Sequence, residues 1–156
     1  MLQLKCLRHN TLSVVACVAH HLTRRYVLGE NKLESYQLLP ELILVYPDCR
    51  AHFISEADRW IDDKGDISAH SFFSVLTSFV EEKFLLGDYE HCEKLFAFVE
   101  AAIHSENAGV SNAACTCFIE NLINIAGHNN EFELSHFWTL LGPSALYFAE
   151  SWLAEG

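Results

Sequence analysis

The sequence predicts an all-α single domain of seven to eight helices, set as antiparallel hairpins in a loosely α-solenoid-like array. Three observations carry this. Apolar residues recur near every 3.6 positions through most of the chain, the signature of amphipathic helices and not of strands. Only 3 Pro and 7 Gly interrupt 156 residues, too few for the many turns of a sandwich or barrel. Apolar residues make up 51%, including 11 Phe, which is ample material for one core at this length.

The stretch from Ala69 to Gly127 organises the rest. Phe72, Val75, Leu76, Phe79, Val80 and Phe84 lie on one helical face, and Gly87 marks a stop. Asp88 stands where the N-cap of the next helix is expected. That helix carries Cys92, Leu95, Phe96, Val99, Ala102 and Ile103. After a break at 105–109, a third presents Ala114, Cys117, Phe118, Leu122 and Ile125, with Gly127 as its expected end. Phe72, Phe79, Phe96, Val99, Phe118 and Leu122 are the predicted centre of the core.

Around this middle the chain reads in order. A basic N-terminal helix extension is expected over residues 1–33, its helix running from about Thr11 to Leu28 with Gly29 as the stop. The run Leu12–Ala19 is too short for a membrane span and short for a leader. The acidic helical body follows over 34–156. Its first helix starts near Leu39, because Pro40 is tolerated only in a first turn. Pro47-Asp48 opens a helix with Cys49, Phe53, Ala57, Trp60 and Ile61 on one face, and 62–66 is a polar loop. A short helix begins at Glu131 or Glu133, and Pro143 sits at the first position of the last helix.

Charge is unevenly distributed. The net charge is −11, yet residues 1–33 hold Lys5, Arg8, Arg24, Arg25 and Lys32 against Glu30 alone. Every other acid falls in the body, against Arg50, Arg59, Lys64, Lys83 and Lys94. So acidic a body repels phosphate backbones, so no nucleic-acid partner is expected and a basic protein partner is favoured. No membrane partner is expected, and the six cysteines, spaced without a disulfide framework, read as reduced thiols of a cytoplasmic protein.

No phosphate-binding glycine loop, nucleophile elbow or H-E-x-x-H is present, and the expectation is a non-enzyme without cofactor or metal. Cys115 and Cys117 diverge on a helix and suit packing better than zinc. Glu133-x-x-His136, echoed by Asp88-x-x-His91, is the pattern of di-metal bundle sites, but both pairs fall in first turns, where acids are expected anyway. The adjacent pair His20-His21 diverges too, and reads as surface. The acids are more suggestive. Asp62, Asp63 and Asp66 in the loop, with Glu90 and Glu93 at the hairpin border, are predicted to form one negative docking surface anchored by Trp60 and Tyr89. Loop charges support no core, so reversing Asp62 and Asp63 is expected to leave the fold intact.

From about Leu38 to Trp152 the chain resembles a family of small bacterial all-helical proteins, some of them like immunity proteins of polymorphic toxin or contact-dependent growth inhibition systems. The likeness rests on Leu39-Pro40-Glu41-Leu42, Tyr46-Pro47, Trp60 before the Asp/Gly loop and Phe72-Phe73 through Glu81. It continues in Gly87-Asp88, Leu95 to Glu100, Phe118 to Leu122 and Leu141-Gly142-Pro143. The resemblance implies an immunity-type role, binding and neutralising a cognate toxin domain such as a nuclease. Two other classes stand beside it: a metal-dependent helical-bundle enzyme built on Glu133 and His136, and a general helical adaptor.

Overall fold

The computed structural model describes residues 33–155, and within them it is all-α with eight helices. The basic helix expected before Leu33, with His20, His21, Cys6 and Cys17, lies outside the described residues. Helix α1 spans Leu38–Val45, α2 Arg50–Ser55 and α3 Ala57–Trp60. Helix α4 spans Ala69–Leu85 and α5 Cys92–Ile103. Helix α6 is a continuous run of three segments, Ala108–Ala113, a wider π-helical Ala114–Glu120, and Asn121–His128. Helix α7 is Leu134–Phe137 and α8 Pro143–Glu155. These residues fall within one compact unit, Lys32–Gly156.

The six residues predicted to form the core centre are all buried, at 5% exposure or less. Helix α4 packs most extensively on α6, and α8 lies against both α5 and α6. Stacking departs from strict chain order in these pairs and again where α1 packs on α5 across the intervening helices. Aromatic rings link the layers. Phe72 meets Phe53 at 4.6 Å and Trp60 at 5.8 Å, while Phe96 meets Phe118 at 5.5 Å. The Phe72–Trp60 and Phe96–Phe118 pairs meet edge-on, and such pairs add to what their buried area contributes.

Local chemistry explains where helices start and stop. Ser68 caps α4 by accepting from Ser71 N–H at 3.2 Å, and Asn107 caps α6 by accepting from Gly109 and Val110 N–H. The expected single helix across 49–61 is broken at Glu56. There the indole N–H of Trp60 donates to Phe53 O at 3.0 Å, engaging the carbonyl that a continuous helix would give to Ala57. Gly127 is not a stop: α6 runs through it to His128.

The turn between α4 and α5 corrects the expected role of Asp88. Gly87 adopts φ +69° and its N–H reaches Phe84 O at 3.0 Å, while Asp88 N–H reaches Lys83 O at 2.9 Å. These two bonds are a Schellman closure, which places Asp88 just past α4 and too early to cap α5. A hydrophobic contact often completes the motif; here Lys83 Nζ and the Asp88 carboxylate pair at 2.7 Å instead. His91, at φ +61°, is the N-cap residue of α5.

The widened middle of α6 also has a cause. Asn121 N–H bonds Phe118 O, and Cys117 O takes side-chain donors, Asn121 Nδ2 at 2.9 Å and Thr77 Oγ1 at 2.8 Å. Thr77 is buried on α4, and its hydroxyl lies 2.9 Å from Phe73 O as well. Side chains entering the backbone ladder are a recognised cause of such distortions. Among the described residues no helix is long and apolar enough to cross a membrane.

Candidate functional site

The predicted docking residues divide between the two ends of α4. Asp62, Asp63 and Asp66 precede its N-terminus, and Tyr89, Glu90 and Glu93 follow its C-terminus. A helix of 17 residues separates them by about 25 Å, several Debye lengths at physiological salt. They do not act as one surface.

The loop at the first end is built by its own acids. Ile61 and Ile67 pair as an antiparallel bridge, and Gly65, at φ +84°, donates to Asp62 O at 2.9 Å. Asp62 Oδ1 accepts from Lys64 N–H at 2.8 Å and Asp66 N–H at 2.9 Å. Asp62 is therefore a structural residue of the loop, and its reversal would remove two hydrogen bonds that the sequence did not reveal. Asp63 stands free of such bonds at the surface. Trp60 is not a surface anchor: it is 4% exposed and packs between Phe53 and Phe72. A tryptophan beside a polar loop reads as surface until its indole partner is known.

The other end has the makings of a contact surface. Leu85, Leu86 and Tyr89 are exposed there, Leu86 at 71% and Tyr89 at 48%. The Tyr89 ring packs edge-on against Phe84 at 5.0 Å and lies 6.5 Å from His136, and its hydroxyl donates to Phe84 O at 3.4 Å. The buried Tyr46 hydroxyl donates to Glu90 O at 3.2 Å, tying the turn to the end of α1. From Glu81 to Lys94 the chain supplies Glu81, Glu82, Asp88, Glu90 and Glu93 against two lysines. The bond between Asp88 and Lys83 holds the lysine pKa above and the aspartate pKa below its ordinary value. Among the described residues, Glu82, Glu90 and Glu93 have only histidine rings within ion-pair reach: His52 at 3.9 Å for Glu82, and His91 at 3.3 and 3.8 Å for the other two. Leu85 and Leu86 were absent from the sequence-based site, which was built from acids and two aromatic residues.

The Glu133 and His136 pair holds a helix end. The two residues form a capping box at α7, with Glu133 N–H donating to His136 Nδ1 at 3.0 Å. His136 also stacks on Phe84 at 6.3 Å. Among the described residues, no three His, Cys, Asp or Glu side chains converge as a ligand set. Burial pushes the Cys49 and Cys92 thiols up to about 12 and about 11, and it raises Cys115 as well, so these thiols are protonated at neutral pH.

One constellation escaped the sequence. Glu100 on α5 receives Ser144 N–H at 2.8 Å and Ala145 N–H at 3.0 Å, and so caps α8 from another helix. His104 Nε2 lies 2.7 Å from Ser144 Oγ and 3.3 Å from Glu100 Oε1. A Ser-His-acid relay needs the serine and the acid on different ring nitrogens. Here both approach one nitrogen, and the amides that could stabilise an oxyanion are already bound to Glu100. The cluster is a helix cap. Its signal was Gly142-Pro143, a helix start with no side chain able to cap it.

Residues 39–151 match the model of a family described as Domain of unknown function (DUF7674). The chain belongs to this family. No curated protein and no solved structure matches it. The family domain takes in the whole run from α2 to α7, and therefore both ends of α4, the turn to α5 and the Glu100 cap.

Proposed function

We propose that the protein is an immunity-type inhibitor: in the cytoplasm it binds one cationic toxin domain and blocks it, without chemistry of its own. The observation that supports this is how its acids are used. Asp62, Asp88, Glu100 and Glu133 are engaged with backbone amides or a lysine, whereas Glu82, Glu90 and Glu93 face solvent around the α4–α5 turn with histidines for neighbours. A negative rim of this kind speeds capture of a positive partner and discourages nucleic acid. A nuclease toxin presents such a positive face to its own substrate, and an acidic inhibitor can occupy it.

The test is co-expression with the C-terminal domain of a candidate toxin, sought as a large secreted protein encoded next to this gene. Restored growth together with a complex that survives purification is the expected result. Unrelieved toxicity, or equal protection against unrelated toxins, overturns the reading; promiscuous binding without protection would instead point to a general adaptor.

A further inference from the structure

Resting on that reading, we propose that the α4–α5 turn is the docking surface, and that its occupant is a cationic protein segment carrying a large apolar side chain among its Lys and Arg residues. The turn puts Leu85, Leu86 and Tyr89 into solvent within one short stretch. Among the described residues, no other stretch this short exposes three large apolar side chains. On α8, Tyr147, Trp152 and Leu153 are exposed too, but spacings of five and six residues direct them to different sides of a helix.

The turn is also held in place before any partner arrives. Its backbone is closed by the bonds of Gly87 and Asp88 to α4 and by the Tyr46 hydroxyl on Glu90 O. Tyr89 is backed by Phe84 and His136, so little side-chain freedom is left to lose on binding. Tyrosine in such a setting is a favoured interface anchor. Charge complementarity selects the partner. Lys83, the base in the last turn of α4, is neutralised by Asp88, which leaves Glu82, Glu90 and Glu93 to face whatever docks. A purely cationic segment would leave the leucines in water, and a purely apolar one would bury carboxylates unpaired.

The experiment uses the full chain, isotope-labelled, and two synthetic peptides of equal length and charge, one of Lys and Leu in an amphipathic helical pattern and one of Lys and Ser. The Lys/Leu peptide should bind and shift the amide signals of residues 82–93. Leu86→Ser, a surface change, should keep the melting temperature, Tyr89→Ser should lower it slightly through its lost contacts with Phe84 and His136 without unfolding the chain, and together they should weaken binding by about 30-fold. Glu90→Gln with Glu93→Gln should flatten its salt dependence, while Asp63→Asn, at the far end of α4, should change nothing. Equal binding of the Lys/Ser peptide, shifts centred on 62–66, or indifference to the Leu86 and Tyr89 changes would overturn the proposal. If wild type and the Leu86/Tyr89 variant protect equally against a toxin, the inhibitor reading stands and this surface falls. If the peptide docks at the turn and no toxin is neutralised, the surface stands and the inhibitor reading falls.

Discussion

Replacing Glu100 by Ala tests whether α8 depends on a cap supplied from α5. The first helical bond of α8 runs from Leu146 N–H to Gly142 O at 2.8 Å, which makes Gly142 the cap position, and glycine has no side chain to fill it. Glu100 supplies the missing acceptor to both Ser144 and Ala145. Losing an N-cap costs about 1 kcal/mol, and charge-assisted bonds to a carboxylate only 18% exposed raise this, so about 2–3 kcal/mol is expected. Gly142 completes the argument. A Cβ there would lie 2.6 Å from Glu100 Cδ, so Gly142→Ser should by itself cost about 1–2 kcal/mol through crowding. In the double variant the space is open and the serine can cap α8 locally. Its loss should fall short of the sum of the two singles by at least about 1 kcal/mol. Urea unfolding followed by circular dichroism measures all four forms. A loss below about 0.5 kcal/mol for Glu100→Ala, or strict additivity, would refute a cap supplied in trans. The pH dependence supplies a second arm. Burial opposes ionisation of Glu100, but hydrogen bonds from Ala145, Ser144 and His104 outweigh it and hold its pKa below the ordinary glutamate value. A depressed carboxylate stabilises the fold above its unfolded pKa and loses that contribution as pH falls through the folded value. The gap between wild type and Glu100→Ala should therefore be constant from neutral pH down to about 5 and shrink below about 4.

Phe118→Ala and Phe79→Ala should each cost about 3–5 kcal/mol, and losses below about 1 kcal/mol at both sites would mean the core centre lies elsewhere. Thr77→Val keeps the shape but leaves Cys117 O without its inter-helix donor; a loss of about 1–2 kcal/mol and faster amide exchange across 117–122 are expected, and unchanged exchange would detach Thr77 from the widened segment. His91→Gly should raise stability by about 0.5 kcal/mol while His91→Val lowers it by more than about 1, because a β-branched residue resists φ +61°; urea midpoints in the reverse order would contradict the left-handed geometry. Asp62→Lys should cost about 1 kcal/mol through the two amides it leaves unbonded, whereas Asp63→Lys should stay within about 0.5; equal effects would show that the loop does not depend on Asp62.

Helical periodicity made the buried faces legible, since it depends on neighbours three and four positions apart. Phe72, Phe79, Phe96 and Phe118 were identified on that basis and all are buried. Whatever depends on a residue far along the chain stayed hidden. Glu100 looks like one more acid on an amphipathic helix, and only folding sets it against Ser144 and Ala145. The same holds for Thr77 meeting Cys117 O. Asp88 shows a subtler failure, since Gly-Asp before a helix satisfies two local rules at once. The left-handed Gly87 decides between them, because its closure directs the Asp88 amide back to Lys83 O.

The proposed docking surface was half legible for a related reason. Acids are conspicuous in a sequence, and grouping Asp62, Asp63 and Asp66 with Glu90 and Glu93 treats them as neighbours because they flank the same helix. That helix is what keeps them apart. Its length of about 25 Å exceeds the roughly 8 Å over which exposed charges act at physiological salt, so a partner held at one end scarcely senses the other. The two acidic groups also differ in kind. At the loop, Asp62 spends its carboxylate on its own backbone and no large apolar side chain stands exposed within 61–67. At the turn, Glu82, Glu90 and Glu93 accompany the exposed Leu86 and Tyr89 in one short stretch, so acids that attract a partner stand with side chains that can bury area against it. Attraction alone hastens an encounter; desolvated anchors prolong it. That difference favours the α4–α5 turn as the proposed recognition surface, while Asp62 in the 62–66 loop serves the closure of the chain ahead of α4.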